Sequence, residues 1–128
     1  MPLHRSAFIK ALREEIPAVE AWLADYRDNL TFEMMRFRQF TEDAIARGDF
    51  ATVRKSFQLL HKAFAEGNRH VRNSVVVSFL EHLEFAGSNG QAAEKLLPAE
   101  LAEQRTTALG VLRRAAERPR KRSGKGAA

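Results

Sequence analysis

Four histidines and sixteen carboxylates are the groups through which this 128-residue chain would do acid–base or metal chemistry. The histidines are His4, His61, His70 and His82. A carboxylate-bridged two-metal bundle sets a Glu-x-x-His pair on each of two facing helices, and no such pair occurs. Glu66 and His70 stand four apart, but Gly67-Asn68 interrupts any helix between them. His61, His82 and Glu81 remain as candidates for an enzyme site, with ordinary solvated or packed side chains the favoured reading. Glu81 and Glu84 lie i, i+3. Paired carboxylates do acid–base work only when burial or a neighbour separates their pKa values, and nothing nearby in the sequence does so. They read as surface. The chain has no cysteine, which excludes disulfides, thiolate metal sites and thiol catalysis. Phosphate-loop, H-E-x-x-H and G-x-S-x-G patterns are absent. The expectation is a non-catalytic protein with no cofactor and no metal.

Two other clusters carry binding chemistry. Arg69, Arg72 and Lys62 gather near Gly67, with Arg54 and Lys55 on the preceding segment. They read either as an anion site beside a helix start or, better given the interspersed acids, as a solvated face. Asn73, Ser74 and Ser78 line the less apolar side of the next helix and suit close helix packing or the lining of a cleft.

Helices must position these groups. Ser6 is the expected cap of a first helix to Glu15, whose stripe is Phe8, Ile9, Leu12 and Ile16. Pro17 fits the first position of a second helix, along which Val19, Trp22, Leu23, Tyr26 and Leu30 recur at core spacing, after which a turn falls near Asp28-Asn29. A third helix over about 31–47 buries Leu30, Met34, Phe37, Phe40, Ala44 and Ile45 on one broad face. Phe32 and Met35 fall on its other side, beside Arg36 and Gln39. Two apolar residues there require a second neighbour, either another helix of the domain or a partner protein. Phe32, Met35, Arg36 and Gln39 are therefore the candidate partner-binding residues.

Gly48-Asp49 and Gly67-Asn68 each read as a helix stop followed by a cap. Between them Phe50, Val53, Phe57, Leu60 and Phe64 repeat 3-4-3-4. The segment 69–85 contains Val75-Val76-Val77, but its Val71, Val75, Val76, Phe79, Leu80 and Leu83 spacing predicts a central buried helix, with Val77 outside the apolar arc. Gly87-Ser88-Asn89-Gly90 reads as a loop, followed by a short helix at 91–97. A last helix at about 98–117 starts at Pro98, buries Leu97, Leu101, Ala108, Leu112 and Ala115, and ends at Pro119. The fold class is all-α: one domain of five to seven helices packed as antiparallel hairpins, either a bundle or a short HEAT-like array.

The net charge of +5 is unevenly placed. Residues 1–117 hold 16 basic and 16 acidic side chains. The excess is Arg118, Arg120, Lys121, Arg122 and Lys125, within a tail (118–128) that lacks large apolar residues and is expected to be disordered. No apolar run approaches the roughly 18–20 residues that span a membrane. The expected location is the cytoplasm.

The stretches E-E-I-P at 14–17, G-D-F at 48–50 and V-R-N-S-V-V-V-S-F-L-E at 71–81 together resemble a family of small, uncharacterised all-helical bacterial proteins. The resemblance spans about residues 8–112. It implies an immunity-protein-like role, in which the chain binds and neutralises a cognate toxin. Its motifs are packing and capping positions and carry no catalytic residues. The leading functional reading is thus a protein–protein interaction module of immunity or antitoxin type. The alternative is sequence-independent attraction of nucleic acid to the basic tail. On that alternative, full-length chain is retained on DNA or RNA at low salt and released as salt rises, and residues 1–117 are not retained. Equal retention of both, or of neither, in a column assay would end it.

Overall fold

The computed structural model describes residues 2–24 and 29–111. Its elements are α1 (Arg5–Glu15), a 3₁₀ turn (Pro17–Val19) running into α2 (Glu20–Leu23), α3 (Leu30–Ala46), α4 (Phe50–Glu66), α5 (Arg69–Ser74), α6 (Gly87–Glu94) and a helix over 99–111, α7. From α5 the chain continues as a π-helix (Val75–Phe79) and a 3₁₀ turn (Leu80–His82). The fold is an all-α, single-domain bundle. The readings placed on Tyr26, Asp28, Leu112, Ala115, Pro119 and the basic tail lie outside the described residues. Among the described residues, no helix is long and apolar enough to cross a membrane.

The core forms around α3. Leu30, Met34, Phe37, Phe40, Ala44 and Ile45 are all buried, as their spacing predicts. Phe37 lies between Phe8 of α1, 6.2 Å away, and Phe79 of the π-helix, 5.2 Å away, both rings tilted. Such tilted pairs add about 0.5–1.5 kcal/mol each beyond area burial. Helices α2, α4, α5 and α6 also pack on α3. An element with neighbours on that many sides belongs to a bundle, not to a row of stacked hairpins.

Local capping explains where the long helices begin and end. Asp49 caps α4 through Thr52, after Gly48 has turned the chain at φ 71°. Asn68 caps α5 by accepting from the Val71 N–H, and Asn29 caps α3 by accepting from Phe32. Three expectations are corrected. His4, not Ser6, caps α1: its Nδ1 accepts from the Ala7 N–H and sits 2.9 Å from the Ser6 hydroxyl, which places Ser6 inside the first turn. Gly67 stops α4 as expected, in an extended conformation, and pairs with Leu3, whose N–H donates to the Glu66 carbonyl and whose carbonyl accepts from Asn68. The 69–85 helix stops at His82 and is α-helical only to Ser74. Residues 87–90 are helical: Gly87, at φ 68°, opens α6, and Asn89 donates to the Ala46 carbonyl at the end of α3. That bond rewards extending the helix back over 87–90, where the sequence shows only loop formers.

Among the described residues, one carboxylate is fully buried. Glu33 on α3 accepts two bonds from Arg5, at 2.7 and 2.8 Å. The bidentate geometry orients both groups. Removing one member of a buried pair costs about 3–5 kcal/mol, whereas replacing both by apolar groups is close to neutral. Arg5 keeps 27% of its side chain exposed, so the lower end applies. Arg5→Ala is expected to cost about 3 kcal/mol in urea denaturation, and Arg5→Met/Glu33→Leu markedly less. Equal losses would show that the pair does not set the cost.

Asp49 gives a pH-dependent term. The Thr52 hydroxyl and then the Thr52 N–H bond its carboxylate, and Arg47 adds attraction. Together these hold its pKa below the usual aspartate value, against a smaller opposing effect of burial. A depressed folded pKa means stability present above the unfolded value, near pH 4, and lost as pH falls through the folded one. In acid titrations of stability, the difference between wild type and Asp49→Ala is expected to shrink below about pH 4. A constant difference would contradict this.

Candidate protein-binding groove

The side of α3 that faces away from Phe37 carries Thr31, Phe32, Met35 and Arg38. It meets Val77 and Ser78 of the π-helix and His82 of the following turn. Between them lies a groove of about 290 Å³. Phe32 is 44% exposed and Val77 43%. A single exposed apolar side chain is ordinary. Two on opposite walls of one concave seam, with half-buried Met35 between the same walls, make a contiguous apolar patch of the kind that marks contact surfaces.

The π-helix shapes the second wall. The Leu80 N–H reaches both the Val75 and the Val76 carbonyls, so one bond spans five residues. The wider turn buries Val75, Ser78 and Phe79 while leaving Val77 on the outside. Isolated π turns of this kind occur often at functional sites.

The far end of the groove is closed by polar contacts. Arg38 donates to Glu42 at 2.8 Å and, at 3.5 Å, to the His82 carbonyl. Glu42 accepts in turn from the Glu84 N–H. Arg38 is therefore neutralised and fixed in place, and its charge is not what the groove offers a partner.

Of the four residues singled out from the sequence, the structure keeps two in the groove and removes two. Phe32 and Met35 line it. Arg36 and Gln39 turn toward α2: Arg36 donates to the Trp22 carbonyl at 2.9 Å, lies 4.7 Å above the indole ring and donates to Gln39 Oε1 at 2.5 Å. Trp22 also packs edge-on against Phe40. The indole and its carbonyl capture the guanidinium, a cation–π contact invisible to helical spacing. Sequence reasoning missed Thr31, Arg38 and His82 as lining residues. It did find Val77 outside the apolar arc, but not that Val77 faces Phe32 across a seam.

The other clusters separate. His61 pairs with Glu100 of α7 at 3.2 Å, while His82 lines the groove on α3. Glu84 is exposed and Glu81 half-buried. Among the described residues, no three histidine or carboxylate side chains are placed to hold a metal ion. Ser74 is buried with its hydroxyl unbonded, and Ser78 is buried at the groove floor. Arg69 and Arg72 line a second cleft, of about 580 Å³, with Phe64, Asn73 and Gln104. Lys62, Arg54 and Lys55 are exposed and do not line it.

Comparison with known proteins adds one match. The model of a family described as "Domain of unknown function (DUF7674)" matches residues 9–109. No curated protein and no solved structure matches the chain.

Proposed function

We propose, for a chain that belongs to the DUF7674 family, that it is a non-catalytic protein-binding module whose groove between α3 and the π-helix receives an apolar element of a partner protein. The observation that carries this reading is the pairing of Phe32 and Val77, both more than two-fifths exposed, on facing walls of one seam. Aromatic and Met side chains are typical anchors of such surfaces. The finer reading is immunity-like: binding covers the partner's working surface and so neutralises it, with no chemistry by this chain. It acts in the cytoplasm on this proposal.

Changing the groove while sparing the core tests it. Phe32→Asp/Val77→Asp alters two exposed positions and is expected to leave thermal unfolding nearly unchanged. With full-length protein as bait in native-host lysate, wild type is expected to retain one stoichiometric protein that the double variant loses. Retention loss of at least tenfold, about 1.4 kcal/mol or more, is within reach of two interface anchors. For the neutralising role, the retained protein's own activity must fall when wild type is added and stay unchanged with the variant. Identical capture by both baits would overturn the groove as the binding surface.

A further inference from the structure

Five of the described arginines pair with carboxylates, while Arg36 is held by Trp22 and Gln39 and Arg54 is exposed. Arg5 pairs with Glu33, Arg13 with Glu20, Arg38 with Glu42, Arg47 with Asp43 and Arg105 with Glu94. Arg69 and Arg72 are different. Among the described residues neither pairs with a carboxylate, and both line the 580 Å³ cleft bounded by α5, α7 and the N-terminal residues. Among the described residues, no acidic side chain lines that cleft. Its lining therefore carries net positive charge from Arg69 and Arg72.

Its other lining residues divide by chemistry. Asn73 and Gln104 bring side-chain amides, from α5 and α7 respectively. Pro2, Phe64 and Val76 bring apolar surface. Arg72 lies 4.9 Å over the Phe64 ring, which restrains its guanidinium as a flat platform rather than leaving it to sweep through solvent. The floor is held by the backbone ladder of Leu3 with Glu66 and Asn68. The volume falls within the roughly 300–1,000 Å³ range of small-molecule sites.

We propose that this cleft binds a small organic anion: a phosphate or carboxylate accepted by Arg69 and Arg72, carried on a planar or apolar body that packs against Arg72, Val76 and Pro2. Guanidinium forks match both anion types. The amides of Asn73 and Gln104 supply donors and acceptors at the rim. The site is separate from the α3 groove and does not depend on the protein-binding reading.

The test is calorimetric titration of the full chain with four probes: phenyl phosphate, benzoate, inorganic phosphate and uncharged benzyl alcohol. Saturable binding of phenyl phosphate or benzoate is expected, tighter than inorganic phosphate and absent for benzyl alcohol. Which of the two binds more tightly identifies the anionic group. Arg69→Ala and Arg72→Ala are each expected to weaken binding about tenfold. Arg72→Lys, which keeps the charge but loses the flat platform, is expected to retain part of it. Chemical shifts of the Asn73 and Gln104 side-chain amides should move with the bound probe and stay fixed in an Arg69→Ala/Arg72→Ala variant whose circular dichroism is unchanged. No saturation by either organic anion at about 10 mM, a range already weaker than the millimolar binding that corresponds to about −4 kcal/mol, would overturn the proposal. So would undiminished binding by the double variant, or inorganic phosphate binding as tightly as phenyl phosphate.

Discussion

Phe37 is buried only when α1 and the π-helix both bring a ring against it, and the architecture follows from that shared contact. Phe8 and Phe79 come from segments far apart in sequence, so the stack joins the N-terminal helix to the centre of the chain through one residue. Once α3 lies inside, its ends and its buried carboxylate need partners from elsewhere, while buried Thr41 is satisfied within the helix by the Phe37 carbonyl. Asn29 serves its start, Asn89 its end and Arg5 its buried Glu33. Each is a consequence of withdrawing a helix from water, because a buried polar group without a partner costs more than a hydrogen bond returns.

Enclosure is incomplete on one side, and there the surface changes character. The groove walls are α3 and the π-helix themselves, which pack directly on each other in the core. A binding surface made by core elements is rigid, so little ordering cost accompanies association. The second cleft has the opposite construction. It is bounded by short or terminal segments, α5, α7 and the residues around Pro2, and held by a two-bond backbone ladder. Its cationic lining replaces apolar shape as the basis of recognition.

Legibility in the sequence followed the range of each interaction. Asp49, Asn68 and the stripe from Leu30 to Ile45 were readable because caps and helical faces depend on residues three or four apart. The all-α class was readable for the same reason, but the choice of a bundle over a HEAT-like array was not, because both use the same helical faces and short joints. The Arg5–Glu33 pair spans 28 positions and the Asn89–Ala46 bond 43, and no local pattern announces either. The second explains why 87–90 is helical despite its glycines. Phe32 and Met35 were legible as misplaced on α3. Arg36 and Gln39 were not separable from them, because all four share one helical face and only the position of Trp22 divides it.

The π-helix has a consequence for comparing relatives. A turn closed over five residues instead of four is an α-helix that has absorbed one additional residue without breaking. Removing one residue between Ser74 and Leu80 is therefore the change that would convert the turn. Losing that residue would return the segment to regular α-helix, rotate everything after it by about 100°, and erase the ridge at Val77 while the preceding helix stayed in place. A relative one residue shorter here would be expected to keep the bundle and lose the groove.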